Sequence, residues 1–367
     1  MLVDIIAGAR PNFMKVAPII EAIEREQKKG TDLSFRLIHT GQHYDKNMST
    51  AFFEQLGIPA PDINLEAGSG TQAEQTAAIM TRYEKVLLSR RPDVVIVVGD
   101  VTSTMACAIT AKKTGNITVA HVEAGIRSND LQMPEEINRI VTDSITDLYF
   151  TTSHSANENL RRTGVSDERI FFVGNTMIDT LLKQAPQFEP PAIWKDLKLE
   201  EKNYFVLTLH RPNNVDNLDD LKAILVAIVK ASRNLPIIFP IHPRTAKTLE
   251  SINIKAPNLH ITEPLSYLQF NYLVQHSKAV ITDSGGIQEE TTVMNVPCIT
   301  LRDNTERPET CTIGTNELIG TNPRNIPTAL EKLFSGNWKK GGIPYMWDGK
   351  AADRIISVLK NLKGLAS

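Results

Sequence analysis

Short runs of β-branched and other apolar residues alternate with longer helical patterns along this chain, and the alternation stops once and then restarts. Such alternation is the signature of α/β architecture on parallel sheets. Strands are predicted at 3–7, 35–40, 93–99, 117–122, 147–152 and 169–174, with helices at 14–27, 74–89, 103–114 and 136–144 between them. Residues 183–203 are Pro-rich and charged, and read as a linker or surface loop. The pattern resumes with strands at 204–210, 236–242, 259–262, 279–283 and 297–301 and helices at 218–232 and 266–276. A length of 367 residues exceeds one ordinary core, so the economical reading is two doubly wound domains facing one another. Ligands of such sheets sit at the carboxyl ends of the strands, so the residues just after each apolar run are the ones to collect.

Composition narrows the function classes. A formal net charge of −2 gives no reason to expect a nucleic-acid or anionic-membrane partner. Three scattered cysteines, Cys107, Cys298 and Cys311, form no metal-type or redox pair and point to a reducing compartment. The opening residues MLVDIIAGAR reach Arg10 at once and read as a first strand rather than a signal peptide, and no apolar run is long enough to span a membrane. The protein is expected to be cytoplasmic. No G-x-G-x-x-G follows a predicted strand, and neither a Walker A loop nor a His/Cys cluster of metal spacing is present. No cofactor and no metal are therefore expected.

The strand ends carry a non-random set. GARPNFMK places Gly8, Arg10 and Lys15 around a helix start at Pro11, where a cation opposes the helix dipole unless it holds an anion. Asp100 follows the third predicted strand and, taken alone, is best read as the cap of the next helix. His121 and Glu123 share a face by strand alternation, and Glu135 and Glu136 follow Pro134 at a helix start. Singly each acid reads as structural; together Asp100, Glu123 and Glu135 form a candidate proton-transfer set. In the second half, His210 with Arg211, and His242, end strands. The stretch TDSGGIQEET adds a Gly-Gly turn before a helix that reads as opening on Glu289 and Glu290, an odd choice beside a bare phosphate. A nucleoside diphosphate resolves the oddity: its phosphates suit the amides of Ser284, Gly285 and Gly286, and its ribose hydroxyls suit Glu290.

The ordered series GARPNFMKVAPI, GDVTST, HVEAGIRS, MPEEINR, GNTMIDTLL, HPR, TDSGGIQEE and RDNTERPE resembles the non-hydrolysing UDP-N-acetylglucosamine 2-epimerases over nearly the whole chain. The resemblance implies a glycosyltransferase-B-like fold: a first Rossmann-like domain over 1–172, a second over 173–348 that binds UDP, and a C-terminal helix, 349–367, packing back on the first. It implies a UDP-sugar site of Arg10, Lys15, Phe270 (at the uracil end), Ser284, Gly285, Gly286, Glu290 and Arg307. Asp100, Glu123, Glu135 and His210 fall on the positions treated as catalytic. The implied reaction is elimination of UDP to 2-acetamidoglucal and readdition with the C2 proton on the other face. A homodimer is the expected assembly, and polysaccharide biosynthesis the expected use of the product.

The pattern also departs from the family's. Many bacterial members bind a second UDP-GlcNAc as an effector, through glutamines and arginines that here meet Gln42, Asp45, the stretch GSGTQ at 68–72 and Pro212. Losing a guanidinium there removes charge and bidentate geometry together, so weakened regulation is expected. Rival readings are a retaining glycosyltransferase, a hydrolysing epimerase, an epimerase of a diacetamido-uronic acid sugar, and a nucleotide-sugar sensor. Only the epimerases need the clustered acids.

Overall fold

The computed structural model describes residues 1–41, 53, 55–241 and 256–365, and of Arg10, Pro212, Asn213 and 363–365 the backbone alone. The chain divides into two compact units, residues 1–182 with 345–367, and residues 183–344.

The first unit is a seven-stranded parallel sheet of β1 (Leu2–Ala7), β2 (Ser34–His39), β3 (Ile63–Asn64), β4 (Val94–Val98), β5 (Thr118–Val122), β6 (Leu148–Thr151) and β7 (Ile170–Phe172). Its helices are α1 (Arg10–Gln27), α2 (Gln72–Ser89), α3 (Thr102–Gly115), α4 (Pro134–Ile145), α5 (His154–Arg162) and α6 (Thr176–Gln184). The strand order is β3-β2-β1-β4-β5-β6-β7, so chain direction across the sheet reverses between β1 and β4. All five residues of β4, Val-Val-Ile-Val-Val, are buried, as expected of a central parallel strand covered by helices on both faces.

In the second unit α7 (Ala192–Asp196) precedes β8 (Phe205–Thr208), α8 (Pro212–Val215), α9 (Leu218–Ala231), β9 (Ile237–Pro240) and β10 (Leu259–Thr262). There follow α10 (Tyr267–His276), β11 (Ala279–Thr282), α11 (Gly285–Val293), β12 (Cys298–Thr300), α12 (Pro308–Thr312), β13 (Asn316–Leu318) and α13 (Ile326–Phe334). Its parallel sheet runs β10-β9-β8-β11-β12-β13, the same winding as the first with its reversal between β8 and β11. Both are Rossmann-like, and each reversal is where a ligand crevice belongs.

The last helix, α14 (Ala351–Leu365), lies on α1 of the first unit, where Asp353 pairs with Arg25 and Lys360 with Glu26. Buried Trp347 donates to the Thr152 carbonyl at 2.9 Å, and the Asp179 carboxylate accepts from the first amides of α14, Ala351 at 3.1 Å and Ala352 at 2.8 Å. Burial pushes the Asp179 carboxyl up to about 6, against the pull of those two amides.

Two expectations change here. Residues 183–203 are no bare linker: Ile193, Trp194, Leu197 and Leu199 pack into the second core, with Trp194 edge-on to Tyr204 at 5.7 Å. The first helix begins at Arg10 rather than Met14, with Pro11 inside its first turn, where the missing amide hydrogen costs nothing.

Candidate functional site

At the first reversal, β1 gives way to Gly8 and Ala9, and β4 to Gly99 and Asp100. Asn12 ties the two together: its Oδ1 accepts from the amides of Gly8 (3.1 Å) and Ala9 (3.0 Å), and its Nδ2 donates to the Val98 carbonyl (3.0 Å). Lys15, from the second turn of α1, pairs with Glu123 after β5, both groups being buried. Gly99 has φ +69°, and a Cβ there would stand 3.3 Å from Lys15 Nζ and 3.5 Å from Glu123 Oε2, so the backbone passes close over the pair. Glu123 itself has φ +74°, a left-handed conformation that non-glycine residues seldom adopt and that tends to mark functional positions. The expected shared face with His121 therefore fails, because the backbone has turned out of the strand after Val122. His121 instead lies in the core, Nδ1 2.7 Å from Asp143 and Nε2 2.8 Å from the Gly99 carbonyl.

Asp100 does not cap α3. Val101 is the N-cap residue and makes no side-chain cap. The Asp100 carboxylate pairs with Arg139 of α4, while Asn138 Nδ2 donates to the Asp100 carbonyl at 2.8 Å. Arg139 also holds Glu136 at 2.6 Å. Burial alone would raise the Glu136 carboxyl, but the amides of Ser128 (2.9 Å) and Asn129 (3.0 Å) together with Arg139 hold it below the usual carboxylate range. Glu136 is thus a structural clamp on the 128–129 loop. Glu135 beside it is exposed and, among the described residues, has no hydrogen-bond or ionic partner. At three and four residues' spacing it shares the α4 face of Asn138 and Arg139, the face that meets Asp100. Asp100 and Glu135 thus stand on connected segments, with the Lys15–Glu123 pair beside Gly99, the residue before Asp100. Arg10 opens α1, and its side chain is outside the described set.

The second reversal is built the same way. Thr208 and Thr282 are register partners, joined through their hydroxyls at 2.6 Å, so the chain beyond each emerges side by side. His210 Nδ1 lies 2.8 Å from the Asp283 carboxylate. Asp283, fully buried, also accepts from the amides of His210 (3.0 Å) and Arg211 (2.9 Å) and from Asn214 Nδ2 (3.1 Å). Against the upward push of burial, the His210 contact and these donors leave its carboxyl below the usual range.

Helix α11 starts at Gly285 with Ser284 as its N-cap, and the Ser284 side chain makes no capping bond. The helix does not open on its acids: Glu289 and Glu290 lie in the second turn, and the first turn holds none. The apparent clash between glutamates and an anion at the helix start is thereby removed. A Cβ on Gly285 would come 2.6 Å from Glu306 Oε1, and Glu306 is itself held by Arg302 at 2.6 Å. A side chain at 285 would have to push the Glu306 carboxylate from its place beside Arg302. Glu289 pairs with Arg307 at 2.6 Å, both buried. Glu290 accepts from the Tyr267 hydroxyl at 2.8 Å, and burial, with the charge of Glu289 adding to it, pushes its carboxyl up to about 7. Phe270 is half-buried against the core that contains Tyr204 and Leu273. His242, Gln42 and Asp45 lie outside the described residues, as does the side chain of Pro212.

Three participants were not singled out from sequence: Asp283, Arg139 and Tyr267. Asp283 and Arg139 sit inside the quoted motifs and Tyr267 in none of them, yet each matters through a partner distant in the chain.

Two Rossmann-like units with polar residues gathered at their reversals define a double-Rossmann α/β protein of the glycosyltransferase-B-like class. The model of the UDP-N-acetylglucosamine 2-epimerases matches residues 25–360, and the chain belongs to that family of isomerases. It is 44% identical to the UDP-N-acetylglucosamine 2-epimerase of Methanocaldococcus jannaschii over 98% of this chain and 99% of the relative. A crystal structure of the M. jannaschii enzyme in complex with UDP-GlcNAc and UDP superposes with a TM-score of 0.86 at 43% identity, over 98% of this chain and 99% of that one. The UDP-2,3-diacetamido-2,3-dideoxy-D-glucuronate 2-epimerase of Pseudomonas aeruginosa is 38% identical over 97% of this chain and 99% of the relative.

Proposed function

We propose that the protein interconverts UDP-GlcNAc and UDP-ManNAc at C2 without metal or redox cofactor. The observation that supports this best is the acid set of the first unit, Asp100, Glu123 and Glu135 on three segments tied to one another. Neither a glycosyltransferase nor a sensor needs it. A base takes the weakly acidic C2 proton, the C2–H electron pair becomes the C1–C2 double bond, and the C1–O bond breaks with its electrons leaving on UDP. Readdition of UDP at C1, with protonation on the opposite face of C2, gives the epimer. Two faces call for two acid/base groups, for which Asp100 and Glu135 are assigned, with Glu123, ion-paired to Lys15, tuning or sharing the proton. In the second unit the uncapped amides of α11 suit the diphosphate, Glu290 the ribose and Phe270 the uracil end. His210, Arg10 and Arg307 supply donors and positive charge to the departing UDP.

The test is incubation with UDP-GlcNAc in D₂O, following C2–H and the sugar products by NMR. Deuterium should enter C2 of both epimers and UDP-ManNAc should accumulate. Epimerisation with the original proton retained would overturn the elimination mechanism, and release of free ManNAc would identify a hydrolysing enzyme. The resemblance to the P. aeruginosa enzyme supports a second substrate, a UDP-diacetamido-uronic acid sugar, and parallel assays rank the two by kcat/KM. The proposed setting is a cytoplasmic homodimer supplying polysaccharide synthesis, its assembly checked by light scattering. No helix among the described residues is long and apolar enough to cross a membrane.

A further inference from the structure

We infer that Asp283 is a positioning residue that decides which ring nitrogen of His210 carries hydrogen, making the outward Nε2 the atom that exchanges a proton with the ligand. The inference rests on the proposed role of His210 at the departing diphosphate. Its physical basis is local. Asp283 is wholly buried, whereas 61% of the His210 side chain is exposed. One carboxylate oxygen, Oδ2, is taken by three donors, Arg211 N at 2.9 Å, His210 N at 3.0 Å and Asn214 Nδ2 at 3.1 Å. The other, Oδ1, lies 2.8 Å from His210 Nδ1 and takes only the longer, 3.2 Å branch of the His210 amide's divided hydrogen bond. A carboxylate so committed can meet Nδ1 only as an acceptor, so Nδ1 must bear a hydrogen. A neutral imidazole has a single N–H. Its Nε2 is then a bare lone pair directed away from Asp283, and it becomes an N–H donor on taking one proton. The same nitrogen is base in one direction of the reaction and acid in the other. An unanchored ring would divide itself between two tautomers and two orientations.

Asp283→Asn is the discriminating variant. With its amide oxygen at the Oδ2 position the three existing donors are kept, and its NH₂ then occupies the Oδ1 position and donates to Nδ1. The tautomer is thereby reversed, leaving Nδ1 bare and a hydrogen fixed on Nε2. Imidazole ¹⁵N NMR at alkaline pH reads the tautomer without reference to activity. The parent should show Nδ1–H and Asp283→Asn should show Nε2–H. Steady-state kinetics with UDP-GlcNAc should show kcat falling about 10²-fold, in the range of general acid–base contributions, with KM changed by less than about threefold. Thr208→Val supplies the comparison for a merely structural effect. It breaks the hydroxyl contact to Thr282 at the same strand end and should keep the parental tautomer and most of the turnover. A bare Nδ1 in the parent overturns the inference with no variant needed. So does an unreduced kcat in Asp283→Asn once its tautomer has reversed, or an equal loss in Thr208→Val. An inactive parent would instead refute the proposed function, while the NMR result still decides the tautomer.

Discussion

Glu290 offers the sharpest quantitative test, because its carboxyl is raised from 4.5 to about 7 in the ligand-free protein. Burial is the main cause, the hydrogen bond from Tyr267 opposes it, and the neighbouring charge of Glu289 adds to it. The sign follows from linkage. A carboxyl whose folded value is raised stabilises the fold least where it must be ionised. The cost is absent below the unfolded value, grows through the interval, and is complete above the folded value. The interval from 4.5 to about 7 is worth about 3 kcal/mol, at about 1.4 kcal/mol per unit. Glu290→Gln should therefore stabilise the ligand-free protein by up to about 3 kcal/mol near pH 8 and by almost nothing near pH 4. Ribose hydroxyls donating to the carboxylate favour its ionised form, so UDP binding must expel the proton wherever one is present. If the bound carboxyl returns to its ordinary value, UDP should bind about tenfold more tightly at pH 8 than at pH 6 on this account alone. Calorimetry of UDP binding at both pH values, in buffers of different ionisation enthalpy, measures affinity and proton release together. Glu290→Gln is the internal reference, because the titration of UDP itself is common to both proteins. Equal pH dependence in the two would refute the ribose assignment and return Glu290 to a buried partner of Tyr267.

Asp100→Asn and Glu135→Gln keep shape and remove basicity, so turnover should drop about 10²-fold or more while UDP affinity by calorimetry stays nearly unchanged; near-normal turnover in either returns that residue to a structural role. Gly125 has φ +79°, and a Cβ there would lie 2.5 Å from the Ala156 carbonyl oxygen and 2.8 Å from Leu160 Cγ. Gly125→Ala should thus cost about 2–4 kcal/mol in urea unfolding, combining left-handed strain with overpacking. The sequence departures at Asp45, GSGTQ and Pro212 lead us to expect that UDP-ManNAc alone is converted without a lag and that rates against UDP-GlcNAc are hyperbolic, whereas a sigmoidal curve would place effector contacts elsewhere.

The sheets were legible because central parallel strands must be apolar on both faces, and runs such as VVIVV announce that without help from the rest of the chain. β3, Ile-Asn, and β13, Asn-Glu-Leu, each bring a single apolar residue, too little to make an apolar run. The restart near residue 204 showed the second sheet, but the apolar residues at 193–199 were masked by the prolines and charges around them. The site was legible as a set of strand ends and much less so as a set of contacts. Asp100 looked like a cap because nothing local shows that Arg139, 39 residues away, will hold it. Glu123 gives no sign in sequence of its left-handed backbone, since that is imposed by the turn it must make after β5. Glu289 and Glu290 were read one turn too early because glycines suggest a loop, whereas here Gly285 and Gly286 are the helix's own first residues. Asp283 stood inside the quoted motif, but its partner His210 is reached only once two strands lie side by side.

The order of these pieces along the polypeptide has a consequence for biosynthesis. The helix that covers α1, with Trp347 and the amides that Asp179 holds, is encoded after the whole of the second unit. A ribosome therefore releases residues 1–182 long before their last structural piece exists. The nascent first unit must wait, with part of α1 uncovered, while about 160 further residues are made, at typical synthesis rates about ten seconds or more. The second unit has no such dependence and can close as soon as it emerges. A message truncated between residue 344 and α14 then yields a finished second unit joined to an unfinished first unit, which exposes apolar surface to chaperones and proteases. Completion of the first unit thereby reports that translation has passed through both.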